Sequence, residues 1–171
     1  MHKDAEKMSI VPGLKINWGG VFNLDDLYKK MKWWLDYEGY GDEKKSFMEK
    51  RYVERITAKG KQYEILWETE KNVSDYFSNF ITISFLIVGV QDVQGQRDGK
   101  SIKMNKGNII LIITGDLIKN RSGKWAKKSV IKKIYEKFVA RQRIEDYSIK
   151  LYNKIYSFHD EIKSYLNLSE F

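Results

Sequence analysis

The sequence predicts an α+β fold: an antiparallel meander sheet of five or six strands, an N-terminal helix and a long, bent C-terminal helix. Three observations predict it. Two runs rich in β-branched residues, Ile81–Val90 and Ile109–Ile113, flank Asp98-Gly99, a pair that marks a two-residue type I′ hairpin turn. Residues 46–70 hold a second hairpin pattern, with Lys59-Gly60 as its loop. From about residue 124 onward, apolar residues recur at helical spacing.

The chain of 171 residues fits one domain. Residues 1–12 are expected as a flexible polar tail ending at Pro12, and 13–171 as the domain, with 121–171 its helical C-terminal part. Leu14–Phe22 is a short strand interrupted by Gly19-Gly20. Asn23 is then a suitable N-cap, with Asp26 completing a start like a capping box and Asp25 and Asp26 suiting the positive end of the helix dipole. Leu24, Leu27, Tyr28, Met31, Trp34 and Leu35 share one face of that helix, and Gly39 and Gly41 end it.

The 46–70 hairpin sets Arg55, Val53 and Arg51 opposite Glu64, Leu66 and Glu68 on a wet face, and Ile56 and Tyr52 opposite Tyr63 and Trp67 on a buried one. Glu54 falls on the aromatic face. A polar connector, 71–79, leads into the long hairpin. With Arg97 opposite Lys100, Val88 meets Ile109, Leu86 meets Leu111 and Phe85 meets Ile112. Ile81, Ile83, Phe85 and Ile87 point one way; Thr82, Leu86, Val88 and Val90 point the other. Both faces are apolar at the base, so a covering layer is expected on each, with a polar tip reaching into solvent. Gly89, Gly95 and Gly107 are candidate bulge points.

The final helix carries two stripes out of phase, Ile131/Ile134/Tyr135/Phe138 and Ile144/Tyr147/Leu151/Ile155/Phe158/Ile162/Tyr165. Unbroken over 124–166 it would be about 60 Å long. A bend or break near Arg141–Asp146 is expected, or a helix that faces two partners: its own sheet, and a second copy in a homodimer or another protein.

Composition narrows function by exclusion. There is no cysteine, and the only histidines are His2 and His159, so neither thiol chemistry nor a zinc or iron site is expected, and no cofactor is implied. His159 beside Asp160 reads as a surface pair. The P-loop, the dinucleotide fingerprint and GxSxG are absent. No apolar run is long enough for a transmembrane helix and the N-terminus lacks a signal-peptide core, so a cytoplasmic protein is expected.

Three groups of residues remain as candidates. Glu54, on an apolar face, would have a raised pKa and anchor a ligand if unpaired; at a rim or beside a cation it would be ordinary. Trp33 and Tyr40 line a pocket or fill the core edge. Residues 121–143 hold nine cations and one acid, Glu136, and so account for the entire net charge of +8. Arg121, Lys124, Lys128, Lys132, Lys133, Lys137, Arg141 and Arg143 on a basic amphipathic helix suit nucleic-acid phosphates, an anionic membrane or an acidic protein, or simply a solvated surface. Trp125 and Tyr135 suit base stacking or the core.

The order strand, helix, antiparallel meander, long C-terminal helix resembles the helix-grip or START-like fold over residues 14–166. That resemblance implies a curved sheet around a long helix and an apolar cavity, although the chain has one early helix where the family has two. Three functions follow: a non-catalytic binding or assembly protein using a two-faced sheet and the basic helix; a nucleic-acid-associated protein using 121–143; or a carrier of an apolar small ligand, or an enzyme acting on one.

Overall fold

The computed structural model describes residues 4–40, 47–97, 100–124 and 130–168. The elements run β1 (Glu6–Phe22), α1 (Leu24–Tyr37), β2 (Phe47–Thr57), β3 (Gly60–Asn72), β4 (Phe77–Arg97), β5 (Lys100–Lys119), α2 (Val130–Tyr135), a π-helical segment (Glu136–Ala140) and α3 (Arg141–Leu168). The fold is α+β. Its five strands form one antiparallel sheet in the order β1-β5-β4-β3-β2.

The first strand corrects the expected tail. Residues 6–9 and Val11 pair with the end of β5, Glu6 opposite Lys119 and Ser9 opposite Asp116. Pro12 is tolerated because β1 is an edge strand and Pro12 sits within an irregularity between Val11 and Leu14. Asn23 caps α1 as the sequence predicts, its side chain accepting from the Asp26 amide at 3.0 Å. The Asp26 carboxylate accepts from the Tyr165 hydroxyl at 2.8 Å, which ties α1 to α3.

One face of the sheet holds the core. Ile81, Ile83, Phe85 and Ile87 meet Ile109, Leu111 and Ile113 there, under Leu27, Met31, Trp34 and Leu35 of α1 and Leu151, Ile155, Phe158 and Ile162 of α3. The rings of Trp34 and Phe158 stack at 4.4 Å. The second predicted helix stripe therefore packs on the protein's own sheet. Gly115 lets α3 come close, since a Cβ there would collide with Ile155.

The opposite face departs from expectation. Ser84 and Ile112 are exposed, and Thr82, Leu86, Val88, Leu66 and Ile110 are only half-buried. Among the described residues helices pack on one face of the sheet, where a layer on each is expected; on the other face burial is confined to the base, at Ser78, Asp116 and Ile118.

Two register corrections have one cause each. Arg97 does pair with Lys100, but below the tip Val88 pairs with Asn108, Leu86 with Ile110 and Phe85 with Leu111, one residue off the prediction. A bulge in β4 between Val88 and Gln91 absorbs the extra residue, and the pairing with β3 shifts at the same place. Gly89 lies in it with φ +67°, a conformation open chiefly to glycine. The bulge reverses the alternation, so Val90, expected outward, is buried. The Asp98-Gly99 turn itself lies outside the described residues. In the β2–β3 hairpin, Ala58-Lys59 form the turn and Thr57 pairs with Gly60. Val53 then meets Glu64 and Tyr52 meets Ile65, two residues from the predicted register. A shift of two preserves the alternation, and Arg51 and Arg55 are both ion-paired to Glu64 on the predicted wet face. The predicted buried face is corrected on β2, the edge strand: Tyr63 and Trp67 are buried, but Tyr52 and Ile56 are 51% and 85% exposed.

The expected discontinuity in the last helix is the π segment, just before the predicted position. A π turn holds one residue more than an α turn and retards the helix that follows by about 100°. That brings Lys132, Tyr135 and Glu136 into line with the core stripe of α3. The first stripe thereby splits: Tyr135 packs on Tyr76 at 5.0 Å, while Ile134 and Phe138 miss the body and are 55% and 73% exposed. Instead Lys132, 3% exposed, reaches Glu6 at 2.7 Å and Glu136 at 3.8 Å, and the Tyr76 hydroxyl donates to Glu136 at 2.6 Å.

Hydrogen bonds from Lys132 and Lys119 hold the Glu6 carboxyl at about 2, below its ordinary 4.5. A depressed folded pKa contributes stability above the unfolded pKa, and that contribution is lost as pH falls toward the folded value. Glu6→Gln is expected to cost about 1–2 kcal/mol at neutral pH, the exposure of Glu6 screening the rest. Urea midpoints of variant and wild type should converge as the pH drops from about 4.5 to about 2. A gap of equal size across that window would show that the ion pair is not its source.

Candidate functional site

A cleft of about 530 Å³ opens at the tip end of the core face, lined by Asn23, Leu24, Asp25, Tyr28, Tyr52, Lys61, Tyr63, Ile65, Asp92, Lys103 and Asn105. Its volume is in the range of small-molecule sites. By contrast, the crevice between α1 and α3 holds about 10 Å³, no more than one water.

Three pieces of the chain build the cleft. One wall is the start of α1, pinned to β5: the Leu24 amide donates to Asn105 Oδ1 at 3.1 Å. The second is the far half of the long hairpin. The β4 bulge reverses the alternation there, which turns Asp92 into the cleft, beside Asn105 and Lys103. Asn105 Nδ2 donates to Asp92 at 3.1 Å and Lys103 Nζ lies 3.0 Å from it. Lys103 holds the Asp92 carboxyl below its usual range.

The third wall is aromatic. Tyr63 and Ile65 form its floor on β3, and the Tyr52 ring meets Tyr63 edge-on at 6.3 Å. Tyr63 donates to Glu54 at 3.3 Å, and Lys61 pairs with the same carboxylate at 3.2 Å. Tyr28 faces them from α1. Its hydroxyl donates to Glu49 at 2.5 Å, and the Trp67 indole N–H reaches Glu49 at 3.3 Å. Burial, then the neighbouring carboxylates, push Tyr28, Tyr52 and Tyr63 above the usual phenol range. Glu54 raises Lys61. The phenols thus stay neutral donors and Lys61 stays charged.

Of the predicted candidates, only Glu54 borders this cleft. It is 38% exposed and paired with Lys61 at 3.2 Å. Trp33 does not line the cleft; it is exposed on α1 and stacks on Tyr37 at 5.4 Å. Tyr40 is core: its hydroxyl accepts from Asn79 at 3.1 Å, and burial pushes its pKa up to about 12. His159 meets Asp160 at 3.0 Å as expected, though its ring is buried.

The basic segment divides. Arg121 turns inward, its Nε donating to the Ser74 carbonyl at 2.8 Å, and Lys132 is buried against Glu6. Lys124, Lys133, Lys137, Arg141 and Arg143 are exposed. Lys128 and Trp125 lie outside the described residues. Sequence reasoning missed Tyr28, Tyr52, Lys61, Tyr63, Asp92, Lys103 and Asn105 as site residues. Gly89, named as a bulge point, was the one signal that could have turned Asp92 inward.

Among the described residues no group of three or more His, Asp or Glu is placed to hold a metal ion. No helix among them is long and apolar enough to cross a membrane. The chain matches no known family model and no curated protein.

Proposed function

We propose that the protein is a non-catalytic binding protein whose cleft takes a small organic cation. The observation that carries this reading is the set of three tyrosine rings, Tyr28, Tyr52 and Tyr63, around one cleft with Glu49, Glu54 and Asp92 at its edges. Ring faces attract cations, most strongly where water is partly excluded. Glu54 and Asp92 are each paired with a lysine, so the uncompensated charge is that of Glu49, which has only neutral donors, Tyr28 and Trp67, as its hydrogen-bond partners among the described residues.

The chemistry of the walls favours binding over catalysis. Neutral phenols and a charged Lys61 are not bases, and the depressed Asp92 carboxylate is a weak one. The rim of charges and amides disfavours the wholly apolar ligand that a helix-grip cavity would take.

The test is calorimetric titration with choline, spermidine and a trimethyllysine peptide, alongside acetate and glucose. At least one cation is expected to bind and the anion and the sugar not to. Tyr52 is half-exposed, so Tyr52→Ala should leave the melting temperature in place while weakening that cation about three- to thirtyfold. Binding of acetate or glucose with all three cations silent would refute the proposal, as would full affinity in the variant.

A further inference from the structure

We infer that the outward face of the helix at Val130–Arg141 is a docking surface for an anionic membrane. Val130, Ile134 and Phe138 are 69%, 55% and 73% exposed and recur every fourth residue, so they form one row along the helix. Lys133, Lys137 and Arg141 follow them by three residues each and are also exposed, so a basic row lies alongside the apolar one. Lys137 Nζ lies 5.3 Å from the centre of the Phe138 ring, where the two rows meet.

This exposure is built in. The helix is anchored from its polar side, through Lys132 to Glu6 and through Glu136 to Tyr76. The π segment fixes that phase, because it aligns Lys132 and Glu136 with the buried face of α3. The fold therefore holds Lys132, Glu136 and the Tyr135 ring, which meets Tyr76 at 5.0 Å, against the body and presents the apolar row to its surroundings. An exposed apolar row of this kind marks an interaction surface.

Charge decides the occupant. The basic row requires an anionic partner, whereas a two-fold pairing with a second copy would set like charges against each other. Nucleic acid satisfies the cations but offers no seat for Val130 and Ile134. An anionic bilayer supplies both an apolar layer for one row and headgroup charge for the other, and long cationic side chains reach the headgroups while their stems stay in apolar surroundings.

The test is cosedimentation of the full chain with phosphatidylserine–phosphatidylcholine vesicles at about 3:7, beside vesicles of phosphatidylcholine alone. Binding is expected on the anionic vesicles only, and should weaken in high salt. Changing Lys133, Lys137 and Arg141 to Gln should lower vesicle affinity on the order of a hundredfold. Changing Lys15, Lys106 and Lys163, exposed cations elsewhere, to Gln should leave it within about threefold. Ile134→Ser with Phe138→Ser should lower it by about tenfold or more with the fold intact, since neither side chain is buried. Equal losses from the two cation triples would reduce the effect to net charge and overturn the inference. So would full binding by the Ser double variant. Duplex DNA or RNA bound while vesicles are not would assign the basic row to nucleic acid. A wild-type dimer that Phe138→Ser dissociates, with no vesicle binding, would assign the apolar row to a second copy.

Discussion

Leu151→Lys combined with Phe158→Lys is expected to abolish the folded state. Both side chains are wholly buried, and Phe158 stacks on Trp34 across the α1–α3 contact. Each change removes a core side chain, at about 2–5 kcal/mol, and puts an unpaired ammonium in its place, at several kcal/mol more. Native domains hold about 5–15 kcal/mol in total, so the sum exceeds what the fold can lose. Circular dichroism should show loss of helix and sheet without a cooperative melt. A cooperative melt near the wild-type temperature, with a change only in sedimentation, would move this stripe from the core to an interface between copies.

Gly60→Val is expected to be the most damaging of the glycine substitutions at a turn. Gly60 closes the β2–β3 turn with φ +117°, where a β-branched residue is strained. Its added Cβ would stand 2.6 Å from the Val90 carbonyl oxygen and 3.0 Å from the Gly89 carbonyl carbon, both backbone atoms that cannot swing away. Strain and overlap together predict a loss of about 2–5 kcal/mol, read as a fall in melting temperature of about 10 °C. The damage should reach the cleft too, because the atoms displaced belong to the bulge that turns Asp92 inward. Gly13→Ala is the contrast: its Cβ would meet only Ile112 Cγ2 at 3.8 Å, so a change within about 0.5 kcal/mol is expected. A Gly60→Val melt as close to wild type as that of Gly13→Ala would mean the β3–β4 contact is looser than drawn.

The faces of the strands were legible because side-chain alternation is local. Ile81, Ile83, Phe85 and Ile87 share a face whatever pairs with them, and a register shift of two keeps the β2–β3 alternation for the same reason, but burial on the edge strand was not legible: Tyr52 and Ile56 are exposed. The start of α1 was legible because a cap needs only Asn23 and the amide three residues on. The C-terminal stripe from Ile144 to Ile162 announced a buried face, and the mismatch between the two stripes announced a discontinuity.

What the tertiary structure decided was where these local units meet. One residue inserted at Gly89 reverses the alternation of β4, and its pairing with both neighbouring strands shifts register there; hence Asp92, expected in a solvent tip, turns to the side of Lys103 and Asn105 and joins them in the wall of a cleft. The other walls come from α1 and β2–β3, with Leu24 and Asn105 81 residues apart. At the far end, periodicity marked Ile134 and Phe138 as the buried face of their helix. The Glu6–Lys132 pair, formed across 126 residues, and the phase change of the π segment turned that face outward. A sequence carries the period of each element, but a phase relative to the rest of the molecule exists only once distant groups have closed upon each other.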